Sequence, residues 1–242
     1  MSSLSLAWEQ FRLERKLFWR NPSAAFFNFV LPVLLLLLVA SVFAGEEDEL
    51  EVLIPGIAGM SVMAATFNAL AFNVTFLREE GILKRVRGTP MPTISYLGGL
   101  IGSAVANAFV TVALVVVIGN LLYGVDWPHE PLSLVAFTGL GVVCFAALGI
   151  AFSHAIPNVD SVPAYQNAVF LPLIFISGVF YSSDDLPPAL EAVAQALPLK
   201  HVIDGLSAAI VGSSVNEAGA AAVIALWAAA SAFLAVRFFR WE

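Results

Sequence analysis

Apolar positions in this chain are not scattered. They gather into six stretches with almost no charge: Phe26–Ala44, Val52–Leu77, Ile94–Tyr123, Leu132–Ile156, Ala164–Tyr181 and Ala218–Val236. None holds Asp, Glu, Lys or Arg. A hydrocarbon core ~30 Å thick takes ~20 helical residues to cross. In lipid only a helix or a closed barrel satisfies its own backbone. The runs are too long and too uniformly apolar to be alternating barrel strands. The pattern therefore predicts an all-α polytopic membrane protein with six transmembrane helices, forming one domain over 1–242.

Basic residues orient it. Arg12, Arg15, Lys16 and Arg20 precede the first span; Arg78, Lys84, Arg85 and Arg87 lie between the second and third; Arg237 and Arg240 close the sixth. These are ten of the 11 basic residues, all on one side if the spans alternate, and the other side keeps only Lys200. The positive-inside rule puts the ten in the cytoplasm with both termini. The first opposite loop carries Glu46, Glu47, Asp48, Glu49 and Glu51. Val42-Phe43-Ala44 resembles a signal cleavage site, but the lead and the apolar run are too long, so the span is read as retained.

The pieces between spans are patterned too. Residues 1–22 read as an interfacial elbow helix with Leu4, Ala7, Trp8, Phe11 and Phe18 on the lipid side, bent at Asn21-Pro22. Residues 78–93 contain Arg78-Glu79-Glu80-Gly81-Ile82-Leu83-Lys84-Arg85-Val86-Arg87-Gly88-Thr89-Pro90. Ile82, Leu83 and Val86 share one face of a short helix with a charged collar, which suits docking into another protein's groove. Residues 182–217 hold two helical patterns split at Pro198, each too short and charged to span. They predict a re-entrant hairpin folded back on the bundle.

Chemistry is sparse. His129, His154 and His201 share no metal-like spacing. Cys144 is alone within the fourth span, so no internal disulfide forms. With no carboxylate in any span, proton-coupled transport has no evident carrier. The net charge of −7, with the cations split among short loops, is no nucleic-acid signature. Amides and hydroxyls within spans serve first as interhelical hydrogen bonds. Thr66, Asn68 and Thr75 of the second span, with Asn167, Phe170 and Phe175 of the fifth, are the candidates for a substrate path suited to an amphipathic solute. Gly98 with Gly102, and Gly141 with Gly149, read as close-packing positions.

Three segments carry a resemblance: Arg78-Glu79-Glu80-Gly81 with Thr89-Pro90; Phe170-Leu171-Pro172-Leu173-Ile174-Phe175-Ile176-Ser177-Gly178-Val179-Phe180; and Leu186-Pro187-Pro188-Ala189-Leu190 through Leu197-Pro198-Leu199 to Val202-Ile203-Asp204-Gly205. In order and spacing they resemble the membrane subunit of type-2 ABC exporters, the group that includes daunorubicin and multidrug-resistance permeases. The similarity covers essentially the whole chain, with departures at Lys200-His201 and Ser182-Ser183. It implies a dimer of permeases, each above an ABC ATPase subunit that holds ATP and Mg. This chain itself would bind no cofactor, and it has no Gly-x-x-x-x-Gly-Lys-Ser/Thr loop. Residues 78–87 would then be the main coupling helix, and Asn158 and Asp160 a minor contact. The second and fifth spans would line the dimer axis. An ATP-independent secondary carrier or channel is the alternative, and an intramembrane enzyme a remote third.

Overall fold

The computed structural model describes residues 3–42, 47–88, 92–181 and 187–238. Six helices among them are long and apolar enough to cross a membrane: Pro22–Val42, Glu49–Glu79, Ser95–Tyr123, Pro131–Ala155, Val159–Ile176 and Glu217–Arg237. These are the first to sixth spans below. An elbow helix, Ser3–Trp19, precedes them. A short basic helix, Ile82–Arg87, follows the second span. Two hairpin helices, Pro188–Ala194 and Pro198–Val211, precede the sixth. No strand occurs among the described residues.

The second span is the axis. Of its apolar window 83% is buried, against 22% for the first and sixth spans and 11% for the fifth. Apolar side chains left open on those outer spans face lipid or another subunit, since water would reject them. Around the axis pack the third and fourth spans and the second hairpin helix. Their shared core includes Ile54, Ile57, Met63, Phe145, Leu199 and Leu206, each nearly sealed.

Close approach between these helices depends on missing side chains. A Cβ at Gly149 of the fourth span would lie 2.6 Å from the Phe67 carbonyl oxygen of the second. A Cβ at Gly141 would press on Val62 and Val202, and one at Gly56 would collide with the Val179 carbonyl. Without hydrophobic drive between helices in lipid, such contact supplies the packing energy.

The second span is not a uniform helix. Residues Ala64–Asn68 form a π-turn, which leaves a carbonyl without its usual partner. Gln166 of the fifth span donates its side-chain amide to the Asn68 carbonyl oxygen at 2.6 Å. The first span carries a second π-turn at Phe26–Val30, and Thr111 of the third span bonds the Asn28 carbonyl there.

The elbow helix departs from the expected flat placement. It runs lengthwise beside the third span, in the same direction. Ser95 bonds the Ser3 carbonyl at 2.8 Å, Gln10 fills the place of a Cβ at Gly99, Phe11 lies against Gly102, and Arg15 bonds the Asn107 side-chain oxygen. The third helix, at 31 residues, has about 46 Å of rise, more than the hydrocarbon needs, so its first turns lie beyond it. The elbow docks from those turns down to Asn107. Its bundle-facing side carries Gln10 and Glu14, bonded at 2.7 Å, while Leu4 and Trp8 are exposed. The Arg15 guanidinium stacks over the Phe18 and Trp19 rings. Burial pushes the Glu14 carboxyl above the usual carboxylate range, and the Gln10 bond pulls it back more weakly.

Two outcomes follow from this packing. Gly149→Val should lower the thermal melting point of the detergent-purified protein by several degrees, from overpacking of ~1–3 kcal/mol or more. Gly139→Ala, with nothing within 4 Å of its would-be Cβ, should leave it unchanged. Because its native pKa is raised, Glu14 favours the docked elbow when protonated. The docked state should weaken as pH climbs from the usual carboxylate range through Glu14's raised value. Melting curves against pH should show that loss, and Glu14→Gln should flatten it.

Candidate functional site

The charged segment after the second span is built from a left-handed turn. Glu80 ends the span, and Gly81 sits at φ 65°, a backbone region costly for residues with a Cβ. That turn redirects the chain so that Ile82–Arg87 folds back under the bundle. Arg85 donates to the Glu80 carbonyl at 2.8 Å and braces the turn.

The apolar face of this helix does not await a partner, contrary to the expectation from its spacing. Leu83 is 1% exposed, among Leu70, Val74, Leu77, Tyr96, Leu100 and Ile150, and Ile82 and Val86 pack on the same cluster. The cause is proximity: the overlong second and third spans carry a strip of apolar side chains beyond the membrane, and the short helix covers it. What faces outward is its charge, Glu80, Lys84 and Arg85.

Arg78 and Glu79 reach sideways to the connection between the fourth and fifth spans. Arg78 donates to the Ser153 carbonyl at 3.0 Å and to the Ile156 carbonyl. Glu79 accepts from the Val159 backbone N–H. Charged groups satisfying backbone donors and acceptors are strong ties. Asn158 caps the turn that follows, accepting from the Ser161 N–H at 2.9 Å and its hydroxyl at 2.7 Å. Asp160 is exposed beside it. The two connections thus form one charged platform at the basic end of the bundle. Of the twelve residues expected there, Arg87 ends the helix; Thr89 and Pro90 of the neighbouring motif lie outside the described residues.

The six substrate-path candidates do not form one cluster. Thr66 and Thr75 are fully buried, and their hydroxyls bond the Val62 and Ala71 carbonyls of their own helix at 2.6 and 2.8 Å. Asn68 is half-buried and meets the fifth span through Gln166. Its side-chain oxygen has no hydrogen-bond partner among the described residues. Asn167 and Phe175 are exposed on the fifth span's open face, beside exposed Tyr165 and Leu171. Phe170 packs partly on the core.

Sequence reasoning missed two features. Gln166 was one polar residue among many, because a π-turn that needs a donor leaves no mark in the sequence. Lys200 and Asp204 were read only as charges that keep the second hairpin helix from spanning. Their spacing of four was visible, but not their depth. They form an ion pair of 2.6 Å on the deeply buried second hairpin helix. The bundle therefore does contain a carboxylate at depth, in the hairpin rather than in a span.

A family model described as ABC-2 type transporter matches residues 5–211. Nodulation protein J of Rhizobium leguminosarum bv. trifolii is 31% identical over 167 residues, 66% of this chain and 61% of that protein. Nodulation protein J of Rhizobium meliloti (strain 1021) is 28% identical over 167 residues, 67% of this chain and 62% of that one. The inner membrane transport permease YadH of Escherichia coli (strain K12) is 26% identical over 167 residues, 67% of this chain and 63% of it. The aligned part of this chain thus spans about three fifths of the length of these relatives.

The clasp should be visible in hydrogen exchange. Arg78→Ala with Glu79→Gln should speed amide exchange across 157–161 at least tenfold. It should leave the core of the fourth span protected.

Proposed function

This chain belongs to the ABC-2 type transporter family, and from that premise we propose that it is the membrane-spanning permease subunit of an ATP-driven exporter. In this reading it forms the translocation path for a small lipophilic or amphipathic substrate such as a drug, antibiotic or lipid. A separate ABC ATPase subunit binds ATP and Mg and does the hydrolysis. The basic end, with both termini, faces the cytoplasm. A second permease copy, identical or related, completes the path in a plasma (inner) membrane.

One observation carries the reading: the Arg78–Glu79 clasp. An engine outside the membrane needs a stiff part to push. The clasp joins the end of the second span to the start of the fifth, so force on the charged face moves both together. Glu80, Lys84 and Arg85 point away from the bundle and offer both signs of charge to the ATPase. The apolar contact that coupling uses is thereby internal, and the external contact is polar. Farther along, Gln166 ties the same two spans at the π-turn, a place where a helix bends readily.

The fifth span's open face supports the dimer. An 18-residue span with only 11% of its window buried, carrying Asn167 among apolar neighbours, suits a protein partner better than lipid. The buried Lys200–Asp204 pair removes composition as an argument against a proton-coupled carrier. The family match and the clasp support the ATP-driven reading.

Reversing the outward charges separates coupling from folding. The Lys84→Glu, Arg85→Glu double variant should still insert, with a small drop in melting point from the lost Arg85 brace on the Glu80 carbonyl. With the cognate ATPase in proteoliposomes, substrate-stimulated hydrolysis should fall about tenfold. Replacing Glu79 and Glu80 with Ala should abolish transport with insertion retained. Uphill transport by this chain alone, without any ATPase, would contradict the reading.

A further inference from the structure

We propose that Lys16 and Arg20, with the exposed Trp19 ring beside them, form a binding site for an anionic phospholipid. The site lies where the elbow helix meets the first span, in the leaflet at the basic end. It depends on no ATPase and on no transported substrate.

Depth is fixed by two bonds to the third helix. Arg15 bonds the Asn107 side chain, and Thr111 bonds the Asn28 carbonyl. Asn107 and Thr111 lie 16 and 12 residues from Tyr123, the acidic end of that helix, or about 24 and 18 Å of rise. Pro22 stands six residues before Asn28, about 9 Å nearer the basic side. The bend at Asn21 therefore lies near the inner edge of a hydrocarbon layer ~30 Å thick, where head groups begin.

The elbow turns its free cations to that edge. Ala7, Gln10 and Phe11 lie against Gly98, Gly99 and Gly102 of the third helix. On the opposite side Arg12, Lys16 and Arg20 recur at intervals of four, and all three are exposed. The Arg20 N–H donates to the Lys16 carbonyl at 3.2 Å, so the helical spacing holds to the end of the ridge. Arg12 has a partner, Glu9, at 3.4 Å. Lys16 and Arg20 form no ion pair among the described residues.

Two exposed cations at the edge of hydrocarbon attract the anion that is fixed at that depth, the lipid phosphate. A zwitterionic head group carries its own cation. A head group of net negative charge leaves its phosphate to Lys16 and Arg20 as a charge-assisted acceptor.

The surroundings suit acyl chains. Leu13 and Leu17 are exposed along one flank of the ridge and Trp19 along the other, and Phe26 and Phe27 are exposed on the first span just past the bend. Trp19 is held in place, stacked on Phe29 at 5.7 Å between centroids and covered by the Arg15 guanidinium. A fixed indole at head-group depth is an interfacial anchor. The same depth argues against an ATPase as occupant. The second span, at 31 residues, rises about 46 Å, so the charged platform at its basic end stands well beyond this level.

Lipid binding to the detergent-purified chain tests the site. In native mass spectrometry dioleoyl phosphatidylglycerol should bind at least tenfold more tightly than dioleoyl phosphatidylcholine, and it should raise the melting point by several degrees. Lys16→Gln with Arg20→Gln should reduce that preference to twofold or less. The charge-conserving pair Lys16→Arg with Arg20→Lys should keep it, which excludes misfolding as the cause. Lys84→Gln with Arg85→Gln, which removes equal charge from the platform, should also keep it. Millimolar glycerol 3-phosphate, a head group without chains, should not displace the lipid. A tenfold preference that survives Lys16→Gln with Arg20→Gln overturns the site. An equal loss in the platform variant overturns it too, because diffuse charge would then explain the binding. Displacement by glycerol 3-phosphate overturns the lipid as occupant, and so does loss of a co-purifying ATPase from the Lys16→Gln, Arg20→Gln variant with its lipid preference intact. None of these outcomes bears on coupling through Lys84 and Arg85.

Discussion

Hydrocarbon does not solvate polar groups, and every other feature of this molecule is an answer to that constraint. Backbone groups are closed within helices. Thr66, Thr75, Ser61 and Thr111 turn their hydroxyls onto carbonyls four residues back. Where a π-turn frees a carbonyl, a side chain from another span supplies the donor. Charge collects at the two ends of the bundle, and the pair found at depth is self-neutralised.

The same constraint makes the second span a mechanical element. It touches the first, third and fourth spans and the hairpin along its length, and four-fifths of its apolar window is buried. Its basic end carries Arg78 and Glu79, which hold the fourth-to-fifth connection. Its acidic half holds Gly56 and Gly59, against which Val179 and Ile203 rest. The basic platform and the hairpin are thus joined by contacts of one helix. The π-turn lies between the two, at the level where Gln166 joins the fifth span.

Hydrocarbon thickness also explains where sequence patterns misled. The spacing of Ile82, Leu83 and Val86 was legible as an apolar face, but its occupant was not. Spans of about 46 Å leave apolar surface outside the membrane, and the nearest cover is the chain itself. The elbow helix repeats the lesson. Trp8 and Leu4 mark an amphipathic segment, yet Gln10 and Phe11 turn toward the third span, where Gly99 and Gly102 leave space.

Six spans, the side bearing the cations, and a broken hairpin were all determined by residue order alone. Each depends on a transfer free energy or a backbone preference that a short segment expresses without neighbours. The clasp on Ser153, Ile156 and Val159, the bond from Gln166 to Asn68, and the burial of the Lys200–Asp204 pair were decided only by the tertiary structure. Each joins groups from four to 98 residues apart through a carbonyl freed, a helix overlong or a hairpin inserted, and none of these leaves a local trace. Periodicity tells which face is apolar; only packing tells what that face meets and how deep it lies.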